Sequence, residues 1–291
     1  MPVIALAPQE SRALQGLRIT PRRQFAGRVR GERTSARKGA SIEFADYREY
    51  ADGDDLRHLD WNILARLGHP VVKTYQDEED LAVHLLVDTS PSMSFGEPNK
   101  LEQACRVALA LACIALHSGD AVYRHALGAT GPPIPVVRGR AGVPRVADWL
   151  GKLGTANSAT LVESTRRFAQ SGAPSGVAVV VSDGLDQAVS QGIKAIADRG
   201  HEVWFIQVLT AMELDPDLEG DLLLVDSEST AEQEMTANSV AVAAYRKAVV
   251  MHNEDIREAC ARAGGRYALV KVGEPLSNFV TGSMRREGWV E

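Results

Sequence analysis

The sequence has little cysteine and lacks the short motifs of several common enzyme classes. Its three cysteines are an odd number and form no Cys-x-x-Cys pair, which argues against a disulfide framework and a structural zinc site. We expect them to be small core residues. A phosphate-binding GxxxxGK[ST] loop, a GxSxG elbow and an HExxH helix are all missing. These absences exclude the P-loop nucleotide-binding proteins, the α/β-hydrolases and the HExxH metalloproteases.

Long apolar runs are also missing. The most apolar stretch, residues 107–116, is half the length of about 20 residues that a membrane-spanning helix requires. The first ten residues lack the basic and apolar regions of an export signal. We therefore expect no membrane span and a cytoplasmic location.

The composition is that of an ordinary folded protein, but the charge is unevenly distributed. Of the 291 residues, 45% are hydrophobic and 24% are charged, and the net charge is -6. Residues 1–40 carry nine Lys or Arg against two acidic residues. We predict a basic, partly flexible arm over residues 1–40 that docks on its own acidic domain. Nucleic-acid binding by this arm is the weaker alternative, because aromatic residues are almost absent from it.

Apolar runs alternate with helical patterns from residue 80 onward. Residues 81–87 and 177–181 are continuous apolar runs, which favour buried parallel strands, and each run is followed by an aspartate. Helical patterns with capping signals separate these and further strands, beginning with a capping box at Asn99 and Glu102. The alternation predicts an α/β fold with a doubly wound, mostly parallel central sheet over residues 80–291. Residues 41–79, rich in charge and turn signals, are predicted to form a strand-and-turn extension packed on this core.

Four oxygen-bearing side chains are predicted to meet at one edge of the sheet. Asp88, Ser90 and Ser92 stand at alternate positions after the first apolar strand, and Asp183 follows the second. Ligand sites of open α/β sheets lie beyond the carboxyl ends of the strands, so these groups can converge. Carboxylate and hydroxyl oxygens are hard ligands that suit Mg²⁺ (or Mn²⁺) and do not suit zinc.

The spacing Asp88-x-Ser90-x-Ser92 resembles the metal-ion-dependent adhesion site of von Willebrand factor A domains. The pattern of that site continues with a later threonine and a later aspartate, and Asp183 matches the aspartate. Thr160 is the first candidate for the threonine, with Thr155 and Ser158 as rivals. The family often has Thr-Asp-Leu at that point, whereas this chain has Thr-Leu-Val from residue 160 onward, which leaves the assignment open.

The block from residue 39 to residue 93 resembles the domain of unknown function 58 family. The matching positions are Phe44, Arg48, Tyr50, Gly53, Asp54, Asp55, Arg57, Asp60, Trp61, Ala65 and Arg66. The resemblance implies a Rossmann-type, von Willebrand factor A-like domain. It also implies a non-enzymatic Mg²⁺-dependent interaction module that works with a MoxR-type AAA+ ATPase in the assembly or activation of other complexes. A client protein would offer an acidic side chain as the last metal ligand.

Two points remain open at this level. The block contains three arginines and four aspartates that predict either a structural clasp of ion pairs or a second partner surface; they are Arg48, Arg57, Arg66, Asp46, Asp54, Asp55 and Asp60. The alternative function is a phosphohydrolase with Asp88 as its nucleophile. Haloacid dehalogenase-type enzymes need an acid two residues after the nucleophile, and Ser90 stands there.

Overall fold

The structure is a computed structural model that describes residues 4–25, 43–76, 80–129, 131–132, 134–156, 159–218, 220–225 and 231–291. The chain forms two compact units, one of residues 26–80 and one of residues 1–25 together with 81–291. Ser158, one of the rival ligands, lies outside the described residues.

The described helices and strands follow in chain order. The helices are α1 (Pro8–Ala13), α2 (Trp61–Leu67), α3 (Lys100–Ser118), α4 (Val143–Gly151), α5 (Leu161–Gln170), α6 (Val189–Ala197), α7 (Ala211–Leu214) and α8 (Ser239–Arg262), with a π-helix at Ser277–Met284. The strands are β1 (Glu43–Glu49), β2 (Val71–Gln76), β3 (Ala82–Asp88), β4 (Ala121–Leu127), β5 (Val137–Arg138), β6 (Val177–Ser182), β7 (Glu202–Leu209), β8 (Gly220–Val225), β9 (Glu232–Ala237) and β10 (Arg266–Lys271).

The larger unit is built on a six-stranded sheet in the order β10, β7, β6, β3, β4, β5. All neighbours are parallel except β5, which is antiparallel to β4. Every residue of β3, β6 and β7 is buried, as their apolar runs predict. The predicted α/β class and the mostly parallel central sheet are therefore confirmed. The chain adds β4 on one side of β3 and β6 on the other, and in sheets with such a reversal of strand order ligands bind beyond the carboxyl ends of these strands. We call the region beyond the carboxyl ends of β3 and β6 the crevice.

Helices cover both faces of this sheet with separate apolar cores. Helix α3 is packed in the larger core, together with Leu85, Trp204 and Phe279. Phe168 of α5, Ile193 of α6 and Ile256 of α8 form the second core on the other face. Among the described helices, α3 alone is long and apolar enough to cross a membrane, and 78% of its most apolar 18-residue window is buried within the unit.

Two elements, helix α2 and the hairpin of β8 and β9, differ from the sequence predictions because their apolar patterns are weak. The extension was predicted as strands and turns, yet residues 61–67 form α2. The Asp60 carboxylate accepts hydrogen bonds from the backbone of Asn62 and Ile63, and Gly68 ends the helix in a left-handed conformation. Trp61 is 61% exposed, so α2 shows little of the apolar periodicity by which helices are recognised. The hairpin of β8 and β9 was also missed, because most of its residues are exposed.

The smaller unit contains ion pairs of the predicted clasp. Strands β1 and β2 pair antiparallel. Arg48 forms a two-bonded ion pair with both carboxylate oxygens of Asp54. Arg57 donates from Nε and from one Nη to Oδ2 of Asp55. Asp60, however, pairs with Lys73 at 2.9 Å. The side chain of Asp46 is outside the described residues.

Residues 4–25, part of the predicted arm over residues 1–40, belong to the larger unit. Ile4, Leu14, Leu17 and Ile19 are buried in the larger core. The basic residues of this segment predict exposure to solvent. The apolar residues between them, however, form a face that packs in the larger core. The guanidinium of Arg266 strengthens the attachment by donating to the carbonyls of Thr20 and Gly288, at 2.9 and 2.6 Å.

Three histidines and Phe168 form an aromatic cluster on one face of the central sheet, in which His84, Phe168 and His201 are buried and His125 is half-buried. Phe168 lies edge-on or tilted against His84, His125 and His201, with ring centroids 4.8 to 5.2 Å apart. His84 is fully buried, and its Nε2 lies 2.9 Å from the carbonyl oxygen of Pro174. Burial, and then the neighbouring histidines, lower the pKa of His84 to about 3 and that of His125 to about 4. The histidines are therefore neutral core residues at pH 7.

We expect this cluster to make the fold sensitive to acid. Each histidine has a pKa of about 6.5 in the unfolded chain, so the unfolded state binds more protons than the native state as the pH falls below 6.5. The free energy of unfolding should fall by about 2 kcal/mol for each such histidine between pH 7 and pH 5. His125→Phe should flatten this pH dependence by one histidine's share, measured by urea unfolding at both pH values. An equal slope in both proteins would contradict the assignment.

Candidate metal centre

Asp88 is fixed at the carboxyl end of β3 by two hydrogen bonds. The register of β3 and β6 places Asp88 beside Ser182, since Val87 is paired with Val181. The hydroxyl of Ser182 donates to Oδ2 of Asp88 at 2.5 Å, and the backbone N–H of Ser90 donates to Oδ1 at 2.8 Å. Asp88 is only 2% exposed. Its carboxylate is therefore held in one orientation at the bottom of the crevice.

Asp183 follows directly after β6 and lies close enough to Asp88 for their charges to interact. Its backbone carbonyl accepts a hydrogen bond from the side-chain amide of Gln207 at 2.8 Å. Gln207 is itself held by the hydroxyl of Tyr267, at 2.6 Å. Asp183 is 3% exposed. The two predicted acids therefore lie near each other beyond the carboxyl ends of β3 and β6.

A lysine that the sequence patterns did not single out lies in the same crevice. Nζ of Lys100 lies 2.8 Å from Oδ2 of Asp183 and 2.5 Å from Oε1 of Glu213, and the residue is 1% exposed. The other carboxylate oxygen of Glu213 accepts hydrogen bonds from the backbone and hydroxyl of Thr210, which caps α7. The crevice therefore contains three carboxylates and one ammonium group.

The pKa values follow from this arrangement of charges. Burial, and then the charge of Asp183, raise the pKa of Asp88 to about 6, against the hydrogen bonds from Ser182 and Ser90. Burial disfavours the charged form of Lys100, but Asp183 and Glu213 outweigh it and raise the pKa of Lys100 above its ordinary value. Lys100 stays charged, and Asp88 retains an unfavourable negative charge at pH 7.

Ser90 and Ser92 present their hydroxyl groups side by side, as the alternate spacing predicts. Their Oγ atoms are 3.0 Å apart, and both residues are half-buried in the turn after β3. The short 3-10 helix Pro91–Ser94 produces this turn. Two hydroxyls and the Asp88 carboxylate therefore come from a single five-residue segment.

The middle ligand is not assigned by the contacts. Thr160 is exposed and caps α5, where its hydroxyl accepts from the backbone N–H of Glu163 at 3.2 Å. Within the described part of the chain, no contact links Thr160 to the other predicted ligands. Thr155 is exposed in the loop after α4, and the next residue, Ala156, donates its N–H to the carbonyl of Thr89 at 2.6 Å. This loop therefore lies against the segment that carries the serines.

The donor set fits a hard divalent cation such as Mg²⁺. It consists of carboxylate and hydroxyl oxygens, which Mg²⁺ prefers. Among the described residues, no group of three or more His, Cys, Asp and Glu side chains could hold a metal ion, so hydroxyl oxygens would have to complete the donor set. The repulsion between Asp88 and Asp183 provides a reason for a cation to enter, since a cation between two buried carboxylates lowers their electrostatic energy. Asp88, Asp183, Ser90 and Ser92 are the residues that would hold it.

Sequence patterns missed Ser182, Lys100 and Glu213, although Lys100 left a signal. It is the first residue of α3, where the positive end of the helix dipole disfavours a cation. A lysine at the start of an otherwise apolar helix is therefore an anomaly that a nearby carboxylate explains. Glu213 gave no comparable signal, because its approach depends on how the segment after β7 folds back.

Comparison with known proteins identifies the family. The family described as "Protein of unknown function DUF58" matches residues 46–255, and the chain belongs to this family. Three uncharacterised mycobacterial proteins, Mb1516 of Mycobacterium bovis and MT1527 and Rv1480 of Mycobacterium tuberculosis, are each 30% identical to the chain over 260 residues. The alignments cover 86% of this chain and 80% of each relative.

Two solved structures are similar to part of the chain. The conserved hypothetical protein BatB from Bacteroides thetaiotaomicron has a TM-score of 0.46 at 16% identity, covering 71% of this chain and 96% of that chain. An aerotolerance-related membrane protein from Bacteroides fragilis has a TM-score of 0.40 at 19% identity, covering 71% and 98%.

We expect Asp88→Asn to stabilise the protein at pH 8 in the presence of a chelator. The substitution removes a buried charge that repels Asp183 but keeps an oxygen for the Ser90 N–H. Because the native pKa of about 6 exceeds the unfolded value, the charge weakens the native state above pH 6 and ceases to do so as the pH falls toward 4. Urea unfolding should show a gain of about 3 kcal/mol at pH 8 that shrinks toward pH 4. No gain at pH 8 would contradict the repulsion.

Proposed function

We propose that the chain is a von Willebrand factor A-like interaction module that binds a partner protein through Mg²⁺ (or Mn²⁺) in the crevice between β3 and β6. It binds and does not turn over a substrate. Its partners are a MoxR-type AAA+ ATPase and a client protein that offers an acidic side chain, and the interaction takes place in the cytoplasm. The ATPase and client come from the family resemblance described above.

The observation that carries this proposal is that Asp88, Asp183 and the serine pair lie together beyond the carboxyl ends of β3 and β6. At this point the direction in which the chain adds strands to the sheet reverses. Counted along the chain, the six strands of the sheet have the order 3-2-1-4-5-6, the order of doubly wound sheets, in which ligands bind at this point. Among the described strands of this sheet, β5 alone is antiparallel, and it is the last strand on one side. These features support a von Willebrand factor A-like assignment.

The charge of the donor set favours a protein ligand in the last coordination position. A divalent cation held by two neutral hydroxyls and two carboxylates, one of which is shared with Lys100, keeps attraction for a further anion. A carboxylate of a partner meets that need, and binding of metal and partner are then coupled.

The surroundings of the crevice support a protein partner. Four large apolar side chains are 43 to 50% exposed on segments that contact the site: Phe95, Leu185, Met212 and Tyr245. The N–H of Leu185 lies 3.3 Å from an oxygen of Asp183, and the hydroxyl of Tyr245 donates to the carbonyl of Glu213. Aromatic residues and methionine around a polar centre are typical of protein interfaces.

The test is a binding experiment between the purified chain and a MoxR-type ATPase. We expect the wild type to retain the ATPase in Mg²⁺ and to lose it in EDTA. Asp88→Ala should reduce retention at least about tenfold in Mg²⁺, because the ion loses a carboxylate ligand. EDTA also strips metal from the ATPase, so the variant assigns the metal to this chain.

Asp198→Ala is the matched control. Asp198 is an exposed carboxylate that pairs with Lys194 at the end of α6. It lies just before β7 begins, near the amino-terminal ends of the strands and away from the crevice. Its substitution should leave retention unchanged. Circular dichroism of each variant checks the fold. Equal retention by Asp88→Ala and the wild type, or retention that persists in EDTA, would contradict the proposal.

A further inference from the structure

We propose that Lys100 is the residue that sets the metal affinity of the crevice, by competing with the divalent ion for Asp183. This inference rests on the proposed metal site. The ammonium of Lys100 already neutralises one of the two carboxylates that would hold the ion. A divalent ion that coordinates Asp183 must therefore displace the ammonium or share the carboxylate with it.

The position of Glu213 gives the displaced ammonium a second partner. Nζ of Lys100 is 2.5 Å from Oε1 of Glu213, and Oε2 of the same carboxylate is occupied by Thr210. Thr210 therefore fixes one oxygen of the Glu213 carboxylate, and the other oxygen pairs with Lys100. The ammonium can leave Asp183 and remain paired, which avoids the large cost of an unpaired buried charge.

Burial makes this competition strong. The side chains of Lys100 and Asp183 are 1% and 4% exposed, so water screens their interaction little. The aromatic ring of Phe95 lies 5.9 Å from Nζ and further surrounds the ammonium. An exposed lysine would yield its carboxylate to a metal ion easily, whereas this one is held in the site by the fold.

Removal of Lys100 and removal of the Glu213 charge should have opposite effects on metal binding. Without Lys100, Asp183 is fully available and the crevice loses a positive charge, so the metal should bind more tightly. Without the charge of Glu213, Lys100 has only Asp183 as its partner, so the metal should bind more weakly. The effect of Glu213→Gln should also be smaller when Lys100 is absent, because the competition is then absent.

The experiment is titration of the purified full chain with Mn²⁺, followed by electron paramagnetic resonance of the free ion. Lys100→Met should lower the dissociation constant about tenfold or more, since a unit charge near a divalent ion is worth that much even in water. Lys100→Gln keeps hydrogen-bond donors for Asp183 and Glu213 and provides a second variant that is expected to fold. Lys152→Gln, which removes an exposed lysine paired with Asp148 on α4, is the control and should change nothing.

A double-mutant cycle of Lys100→Gln and Glu213→Gln separates competition from a simple change of net charge. Competition predicts that Glu213→Gln weakens binding more in the wild type than in Lys100→Gln, whereas net charge alone predicts equal effects. Equal effects would overturn the inference, as would unchanged or weaker Mn²⁺ binding by both Lys100 variants.

The outcomes distinguish this inference from the proposed function. If the wild type binds Mn²⁺ and the Lys100 variants bind it no more tightly, the inference fails and the metal site stands. If only the Lys100 variants bind Mn²⁺, the competition is supported and the metal dependence of the natural chain fails. If neither the wild type nor the variants bind, both proposals fail.

Discussion

The electrostatic repulsion between two buried carboxylates is the constraint on which the rest of the crevice depends. Asp88 and Asp183 are placed together by the register of β3 and β6, which buried apolar residues fix on both faces of the sheet. Such a pair costs free energy unless a cation or hydrogen-bond donors compensate it. Ser182, the backbone of Ser90 and the ammonium of Lys100 supply compensation. The remaining repulsion lowers the free energy of unfolding, as is common at sites where a protein binds a ligand.

The central sheet was predictable because its strands carry a strong and simple signal. The runs that became β3 and β6 are apolar apart from His84 and end at polar residues, and the capping box at Asn99 and Glu102 marks the start of α3. Such signals depend on neighbours along the chain. The hairpin of β8 and β9 and the short helix α2 have mostly exposed side chains, and their signals were correspondingly weak. Docking of the amino-terminal arm was predicted from its charge, but the burial of its apolar residues depends on contacts with distant parts of the chain, such as that between Ile19 and Val290.

The residues of the candidate site also fall into two groups, those that local sequence signals predict and those that depend on tertiary packing. The alternate spacing of Asp88, Ser90 and Ser92 is local, and the general position of Asp183 follows from where ligands bind in parallel sheets. Lys100 and Glu213 reach the crevice from the start of α3 and from the segment after β7, and their meeting depends on tertiary packing. The threonine ligand suggested by the family pattern also depends on tertiary packing. The described hydroxyl of Thr160 is used to cap α5.

The central claim is that a divalent ion binds between Asp88 and Asp183. The most direct measurement is the anomalous diffraction of crystals grown with Mn²⁺. The account predicts an anomalous peak about 2 Å from carboxylate oxygens of both aspartates and from the hydroxyls of Ser90 and Ser92, with Nζ of Lys100 turned toward Glu213. A crevice without a peak at saturating Mn²⁺, in which Nζ of Lys100 remains on Asp183, would contradict it.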